Sequence, residues 1–232
     1  MSKKVAVVVP TYNEAGNIGR VIEGCREVFR KNSIDGKIFV SDGDSSDGTQ
    51  DVARKHLAAV IVSPGIRLGK SYVIGFGRAI KEGFDVIFTM DGDLSHDPKY
   101  IPDFLKKLED CDAVVGDRYL QGGSAPGLPF HRKIVSAAAN SFARLMFGFD
   151  IKDVTSGYRA YRREALEKIG YASLVSEGYD VELEILVKMA RAGLRIGHVP
   201  IVFLKRGSGK TKLKPKEMAN FIKRAVDLKL SA

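Results

Sequence analysis

Two aspartates separated by a single residue form the most chemically suggestive pair in this chain. Asp91 and Asp93 come directly after the apolar run 86–90, whose β-branched and aromatic residues predict a buried strand. Two carboxylates at a strand end can both reach one hard divalent cation, which prefers oxygen ligands and bridges to phosphates. The plainer interpretation is a capped turn, because Asp and Gly are common turn formers. Which of the two applies depends on where the fold places the pair.

A second polar loop, residues 42–49, follows another β-branched run at 37–41. The loop holds three aspartates, three hydroxyl side chains and two glycines. A calcium-binding EF-hand loop is excluded, because its sixth position should be glycine and Asp47 stands there. Asp47 is better interpreted as a cap of the helix that follows. Asp42, at the tip of the strand, is placed to accept hydrogen bonds from a nucleobase.

Strands and helices alternate through the first half of the chain, which predicts an α/β fold. The predicted strands cover 5–9, 37–41, 59–63, 85–90 and 113–116, and the predicted helices cover 17–31, 47–56, 70–82 and 98–109. Such alternation is typical of a Rossmann-like, doubly wound parallel sheet flanked by helices, whose ligands bind at the carboxyl ends of the strands. Polar loops follow the first, second and fourth strands, so we expect these loops to share one edge of the sheet.

The second half of the chain adds further elements and ends in a basic segment. After a Gly/Pro-rich loop, strands are predicted at 157–161 and 196–204, and helices at 132–147, 181–191 and 215–230. Arg118 follows the fifth strand, where its planar guanidinium can bind a phosphate. Residues 195–232 carry ten Lys and Arg but only two Asp and Glu. The amphipathic helix 215–230 is typical of core packing, yet its basic side chains also suit an anionic membrane surface.

Composition places the chain among ordinary globular proteins. With 232 residues, a net charge of +9, 44% hydrophobic and 28% charged residues, it is not collagen-like, disulfide-rich or wholly disordered. No apolar run approaches the roughly 20 residues of a membrane-spanning helix. Its two cysteines are far apart and its four histidines lack metal-ligand spacing, so a zinc site is not indicated. These features predict a cytoplasmic protein built on one domain.

Several other enzyme and binding classes are excluded by spacing. The segment 65–71 ends in Gly-Lys-Ser but has three residues between its glycines, where a P-loop requires four. No Gly-x-Gly-x-x-Gly follows the first strand, which argues against a dinucleotide oxidoreductase. A phosphatase of the haloacid dehalogenase type would carry its nucleophilic Asp after the first strand, whereas Asp91 follows the fourth. No aromatic RNA motif accompanies the basic tail, so no nucleic-acid partner is expected.

Several segments together carry a family resemblance. Residues 7–14 (Val-Val-Val-Pro-Thr-Tyr-Asn-Glu), the loop 42–49 and residues 91–96 (Asp-Gly-Asp-Leu-Ser-His) resemble family 2 glycosyltransferases of the GT-A fold. Four more segments, at 116–119, 132–136, 153–159 and 206–213, narrow the resemblance to the dolichol-phosphate mannosyltransferases. The resemblance covers nearly the whole chain. It implies a GT-A glycosyltransferase domain at 1–213 and a C-terminal amphipathic interface helix at 214–232.

The resemblance also implies a role for particular residues. It assigns nucleotide-sugar binding to Pro10, Tyr12, Glu14, Val40, Asp42, Asp91, Gly92, Asp93, Arg118, Arg206 and Lys212. It assigns Mg²⁺ or Mn²⁺ to Asp91, Asp93 and Ser95, the acceptor to Arg118, Arg132 and Ser136, and catalysis to Asp91, Asp93 and Arg118. The chain departs from the family pattern at 42–45, where Asp-Gly-Asp-Ser replaces Asp-Asp-Gly-Ser, and at Ser95 and Thr211, where some relatives have Gln and Ser.

The implied activity is metal-dependent, inverting transfer of mannose from GDP-mannose to dolichyl or another polyprenyl phosphate, giving dolichyl β-mannosyl phosphate. A phosphate monoester with a second pKa of about 6 is largely dianionic at neutral pH, so it can attack without a protein base. The implied partners also include an anionic membrane surface and small membrane-anchor subunits, which places the protein peripherally on the cytosolic face of a membrane. Two alternatives stay open: transfer of glucose from UDP-glucose, and a non-catalytic nucleotide-sugar-binding protein at the membrane surface.

Overall fold

The computed structural model describes residues 3–65, 67–208 and 215–231, and of residues 215 and 216 only the backbone. Within these residues the strands are β1 (Val5–Thr11), β2 (Gly36–Asp42), β3 (Ala59–Val62), β4 (Val86–Thr89), β5 (Ala113–Asp117), β6 (Arg159–Arg162) and β7 (Ile196–Pro200). The helices are α1 (Ala15–Lys31), α2 (Thr49–Lys55), α3 (Leu68–Lys81), α4 (Ile101–Lys107), α5 (Phe130–Phe147), α6 (Arg163–Lys168), α7 (Val181–Arg191) and α8 (Pro215–Leu230).

All of these strands join one mixed sheet in the order β3-β2-β1-β4-β6-β5-β7. The pairs β1/β2, β1/β4, β2/β3 and β5/β7 are parallel, which confirms the mostly parallel α/β sheet. β6 is the exception, since it runs antiparallel to both β4 and β5. After α5 the chain returns to the edge where the parallel strands end, and Arg159 at the start of β6 pairs with Thr89 at the end of β4. Hydrophobic patterning carries no signal for this direction.

The sheet separates two apolar cores. Val5, Val7 and Val9 of β1 pack into the core that contains α1 and α4, whereas Ala6 and Val8 pack into the core that contains α3 and α7. Strands buried on both faces read as continuous apolar runs, which is why the sequence predicts them well. The polar side chains that could take part in chemistry therefore lie in the loops at the strand ends.

α8 packs against the rest of the domain. Its Phe221, Ala225 and Leu228 are buried in a third apolar cluster with side chains of α5 and α7. Arg224 of α8 also forms an ion pair with the buried Glu184 of α7, with 2.8 Å between Nη2 and Oε1. The boundary predicted at residues 213 and 214 lies outside the described residues, so the division into two units stays a prediction. None of the described helices is long and apolar enough to cross a bilayer.

Two element predictions need correction. α6 was not predicted, because it has only six residues and begins directly after β6 without an intervening turn. The last strand was predicted to run from 196 to 204, but β7 ends at Pro200. Beyond it the chain stays extended and changes partner, since Phe203 donates its backbone N–H to Ser124 and Val202 forms an isolated bridge with Ser124.

Candidate active site

The loops after β1 and β2 are tied together by Asp42, whose side chain is completely buried. Its Oδ2 accepts hydrogen bonds from the hydroxyls of Thr11 and Ser45, both at 2.7 Å. Its Oδ1 accepts from the backbone N–H of Ser45 at 2.8 Å and from Gln50 Nε2 at 3.0 Å. Asp42 thus fixes the shape of the loop, while the neighbouring Asp44 is exposed at its tip. Direct contact between Asp42 and a nucleobase stays a prediction.

The other residues that the resemblance assigns to nucleotide binding differ in how far they are exposed. Tyr12 follows β1 and has 51% of its surface exposed. Pro10 is partly exposed within β1, whereas the side chain of Val40 lies in the core below the loops. Gly92 is buried, and a Cβ added to it would lie 3.0 Å from Thr11 Cγ2. Lys212 lies outside the described residues.

Asp91 lies at the end of β4 with 37% of its side chain exposed, the more open member of the acidic pair. Burial, and in the same direction the nearby Asp93 carboxylate, raises the pKa of the Asp91 carboxyl. Its backbone N–H donates to Nδ1 of His96 at 3.1 Å. The His96 ring is 3% exposed and stacks on Tyr158 at 5.1 Å between centroids, so it fixes the backbone of Asp91.

Asp93 is more deeply buried than Asp91 and is held on both carboxylate oxygens. Oδ1 accepts hydrogen bonds from the backbone N–H and the hydroxyl of Ser95, and Oδ2 forms an ion pair with Arg206 Nη2 at 2.8 Å. Burial alone raises the pKa of Asp93, but the Ser95 hydrogen bonds and the Arg206 charge outweigh it and lower the pKa. The Ser95 hydroxyl is thus engaged with Asp93, and its predicted role as a metal ligand stays a prediction.

Residues 203–208, which we call the strap, cross over this acidic pair. The backbone N–H of Leu204 donates to the carbonyl of Ser95 at 2.9 Å, and that of Gly207 donates to the carbonyl of Asp93 at 3.0 Å. A Cβ at position 207 would lie 2.6 Å from Leu94 Cδ1 and 2.7 Å from Asn17 Oδ1, so a larger residue there would require these side chains to move. The strap therefore lies in direct contact with the loop that carries both aspartates.

Arg206 projects from the strap into an acidic environment. Its Nη1 contacts Oε1 of Glu14 at 2.9 Å, while its Nη2 contacts Asp93. Glu14 is 5% exposed and also accepts a hydrogen bond from Asn17 Nδ2 at 2.7 Å. Burial lowers the pKa of Arg206, but Asp93 and Glu14 raise it by a larger amount, so the side chain stays cationic. The structure brings Glu14, Asp93 and Arg206 together from three distant parts of the chain.

Arg118, which directly follows β5, is the centre of a second polar cluster. Arg118 is 8% exposed, and its Nε and Nη2 contact the two carboxylate oxygens of Asp153 at 2.5 and 2.7 Å. Nη2 also donates to Thr155 Oγ1 at 2.9 Å and to Ser136 Oγ at 3.4 Å. Its Nη1 forms no hydrogen bond with the described residues. The predicted acceptor residues Arg118 and Ser136 are therefore adjacent, and Arg132 lies one turn earlier on α5.

Sequence reasoning missed a buried network beneath Asp91. Glu182 of α7 is 2% exposed and accepts a hydrogen bond from the Tyr72 hydroxyl at 2.7 Å, while Arg159 lies 2.9 Å from its other oxygen. A Cβ added to Gly157 would lie 3.3 Å from Glu182 and 3.4 Å from Asp91, so both carboxylates border the same glycine. The available signal was a glutamate inside the apolar helix α7, since a buried charge requires a partner.

The donor set fits a hard divalent cation that also binds a diphosphate. No cluster of three or more Asp, Glu, His or Cys suited to a metal occurs in the described part of the chain. Asp91 and Asp93 therefore supply two carboxylates at most, which matches the way Mg²⁺ is held by one or two carboxylates plus substrate phosphates. Two carboxylates at close range also repel each other, which favours binding of a cation.

Two curated proteins are similar in sequence to this chain over most of its length. The chain is 33% identical over 219 residues to the undecaprenyl-phosphate mannosyltransferase of Micrococcus luteus, covering 90% of this chain and 87% of that protein. It is 34% identical over 226 residues to the polyprenol monophosphomannose synthase of Mycolicibacterium smegmatis, covering 91% of this chain and 82% of that protein.

A solved structure shares the fold at lower sequence identity. Glucosyl-3-phosphoglycerate synthase of Mycobacterium tuberculosis, solved with Mn²⁺, uridine diphosphate and glucosyl-3-phosphoglycerate, superposes with a TM-score of 0.70 at 22% identity. The match covers 99% of this chain and 79% of that one.

The model of glycosyl transferase family 2 matches residues 6–170. This chain therefore belongs to glycosyltransferase family 2, and it is a glycosyltransferase.

Proposed function

We propose that this enzyme transfers mannose from GDP-mannose to dolichyl or another polyprenyl phosphate with inversion at the anomeric carbon. The observation that carries the proposal is the pairing of two centres at one sheet edge, the acidic pair Asp91 and Asp93 and the guanidinium of Arg118 with the hydroxyls beside it. The first suits a nucleotide diphosphate with its metal, and the second suits the phosphate of an acceptor. The names of the two curated relatives, both mannosyltransferases that use a polyprenyl acceptor, support the choice of substrates.

On this proposal Asp91 and Asp93 hold Mg²⁺ or Mn²⁺, which neutralises negative charge on the leaving diphosphate. Tyr12 and the 42–49 loop hold the nucleoside. Arg206 sits 2.8 Å from Asp93 and so lies next to the diphosphate, where its charge stabilises the negative charge that develops as the sugar leaves.

The acceptor phosphate is proposed to bind between Arg118, Arg132 and Ser136. The hydroxyl of Ser136 lies within 3.1 Å of both the Tyr119 and Thr155 hydroxyls, so this pocket presents several hydroxyl groups beside one fixed guanidinium. Asp153 orients the Arg118 fork and is fully buried, so it does not meet the acceptor. The acceptor dianion is itself the nucleophile, and no side chain has to remove a proton.

Arg206→Gln is expected to lower kcat/KM for the donor about 10- to 100-fold. The variant loses a charge-assisted interaction of the kind worth about 1.5–3 kcal/mol. It also frees Oδ2 of Asp93, so we expect Mn²⁺ to bind more tightly in the absence of nucleotide. Steady-state kinetics and titration calorimetry with Mn²⁺ alone measure the two effects. Lys205→Gln, the same charge change at the exposed neighbour, is the control and should alter neither.

The identity of the base is tested by calorimetric titration of the protein with GDP and with UDP, each with Mn²⁺ present. We expect GDP to bind at least about tenfold more tightly than UDP, because guanine offers more donors and acceptors to the loop 42–49. Tighter binding of UDP would overturn the mannose donor and favour UDP-glucose. Binding of either nucleotide without any sugar transfer to lipid would instead favour a nucleotide-sugar-binding protein.

The polyprenyl acceptor also requires access to a membrane, so we propose that the enzyme acts peripherally at a cytosolic membrane face. Small membrane-anchor subunits are proposed partners of the same complex. Copurification of the chain with membranes from its own cells, followed by extraction with high salt, tests peripheral attachment. Recovery in the membrane pellet after salt extraction would point to an integral anchor subunit.

A further inference from the structure

The three aspartates of the loop 42–49 differ in what their carboxylates contact. The carboxylate of Asp42 accepts four hydrogen bonds from within the protein, and that of Asp47 accepts three. Asp44 is exposed, and its carboxylate forms no hydrogen bond or ion pair with the described residues. Asp44 therefore keeps its full capacity to accept hydrogen bonds from a ligand.

The backbone of Asp44 adopts a conformation that favours glycine. Its φ is 68°, in the left-handed region, where residues other than glycine are uncommon. Asn13, in the loop after β1, has a φ of 53°, but its side chain accepts a hydrogen bond from the Ser46 backbone N–H at 3.0 Å. No contact of the Asp44 side chain offsets its conformation in this way. Unfavourable backbone conformations cluster at active sites and ligand clamps, so the position of this carboxylate points to a ligand.

Asp44 and Tyr12 occupy matching positions on two loops that run side by side. The backbone N–H of the residue before Asp44 donates to the carbonyl of Thr11 at 2.9 Å. The hydroxyl of the residue after Asp44 accepts from the backbone N–H of Asn13 at 2.8 Å. These two hydrogen bonds flank Tyr12 on one loop and Asp44 on the other. Both side chains are exposed, at the edge of the sheet where ligands bind in α/β folds of this kind.

A carboxylate beside an aromatic ring suits one nucleobase better than the others. An aromatic ring stacks on any base, since every base has a π-face, and so it does not select among them. An ionised carboxylate only accepts hydrogen bonds. Guanine presents two adjacent donors, N1–H and the 2-amino group, which together match the two oxygens of a carboxylate. Uracil presents a single N–H between two carbonyl oxygens, and a carboxylate repels both of these oxygens.

We propose that Asp44 selects guanine, by accepting hydrogen bonds from N1 and the 2-amino group of a guanine nucleotide that lies beside Tyr12. The inference rests on the proposed function in one respect, because it places the nucleoside of the donor between these two loops. Asp44 is absent from the nucleotide-binding residues that the family resemblance assigns. The family pattern Asp-Asp-Gly-Ser has glycine at this position, so the carboxylate is a departure of this chain from that pattern.

Calorimetric titration of the wild type and of Asp44→Asn with GDP, inosine diphosphate and UDP, each with Mn²⁺, tests the proposal. Inosine diphosphate differs from GDP only in lacking the 2-amino group, so the wild type should bind it about tenfold more weakly than GDP. Asp44→Asn keeps the size of the side chain and its tolerance of the left-handed conformation, but replaces one acceptor oxygen with a donor. It should weaken GDP binding about 10- to 100-fold, largely abolish the preference for GDP over inosine diphosphate, and leave UDP binding unchanged.

Asp35→Asn is the matched control. Asp35 is an exposed acid that directly precedes β2, at the end of the strand opposite to Asp44. The substitution makes the same change of charge on the same strand, far from the proposed site. It should leave the binding of all three nucleotides unchanged.

Asp44→Gly separates a ligand contact from a structural role. Glycine adopts a positive φ without steric cost, so this variant should unfold at the same temperature as the wild type or at a higher one. It should nevertheless lose GDP affinity as Asp44→Asn does. A residue that only shaped the loop would not combine unchanged or greater stability with weaker binding of one nucleotide.

The alternative outcomes can be told apart. Equal weakening of GDP, inosine diphosphate and UDP by Asp44→Asn would overturn the proposal and place the carboxylate on the ribose, which all three nucleotides share. Unchanged GDP binding in both Asp44 variants, with the wild type still preferring GDP to UDP, would overturn this inference alone and leave the proposed function standing. Tighter binding of UDP than of GDP by the wild type would overturn the mannose donor and this inference together.

Discussion

Asp91→Asn and Asp93→Asn are each expected to reduce sugar transfer at least about a thousandfold while leaving the fold intact. Each substitution removes one of the two carboxylates that we propose hold a divalent cation at the leaving diphosphate. The expected effects on stability have opposite signs. The ionised carboxylate of Asp91 lowers the stability of the fold, whereas that of Asp93 raises it.

The signs follow from the directions of the two pKa shifts. The pKa of Asp91 is raised in the folded protein, so its ionised form disfavours folding at neutral pH, and Asp91→Asn should unfold at the same or a higher temperature. The pKa of Asp93 is lowered, so its ionised form favours folding above an unfolded-state pKa of about 3.9, and Asp93→Asn should unfold at a lower temperature. The difference in unfolding temperature between the wild type and Asp93→Asn should disappear as the pH falls through the folded pKa of Asp93.

Thermal unfolding at pH 7, together with transfer rates and Mn²⁺ titration, measures all of these quantities. Asp110→Asn serves as the control, since Asp110 is an exposed acid in the turn before β5, at the opposite end of the strands from the acidic pair. Transfer within tenfold of wild type in both variants would refute the metal site. A large loss of stability in Asp91→Asn would show that this carboxylate is structural.

Arg118→Met is expected to cost about 3–5 kcal/mol of folding stability and to abolish transfer. The substitution leaves the fully buried Asp153 carboxylate without the guanidinium that contacts both of its oxygens. Arg118→Met/Asp153→Leu removes both charges and should recover much of the lost stability, since a buried ion pair contributes little beyond its apolar replacement. Transfer should not recover, because the acceptor phosphate would still lack its cation.

Urea denaturation of the two variants measures their free energies of unfolding. Lys31→Met removes one partner of the exposed ion pair with Glu27 and should cost less than about 1 kcal/mol. Recovery of transfer by the double variant would show that Arg118 only supports the fold. A stability loss in Arg118→Met no larger than that of Lys31→Met would contradict the buried pairing with Asp153.

β1, β2, β4 and β5 could be predicted because each has buried side chains on both faces and carries a dense apolar signal. The direction of β6 and the existence of α6 could not, because they depend on where the chain re-enters the sheet after α5. The last strand was predicted too long for a related reason. Residues 202 and 203 keep an apolar, extended pattern but pair with the loop around Ser124 instead of β5.

The candidate site, like the fold, could be predicted from the sequence only in part. The positions of Asp91, Asp93 and Arg118 could be predicted because each follows a strand, and their roles stay predictions. Their partners could not be predicted, since Arg206 reaches Asp93 across 113 residues and Asp153 reaches Arg118 across 35. Residue type also gave no sign of the contacts of Asp42. Its carboxylate accepts hydrogen bonds from Thr11, Ser45 and Gln50.

One transfer assay tests the central claim most directly. The purified chain is incubated with GDP-mannose labelled in the sugar, Mn²⁺ and polyprenyl phosphate, and the label is followed into an organic-solvent extract. We predict labelled lipid that requires both the acceptor and the metal and that Asp93→Asn does not form. Normal binding of GDP with no label reaching the lipid, or equal transfer by Asp93→Asn, would contradict it.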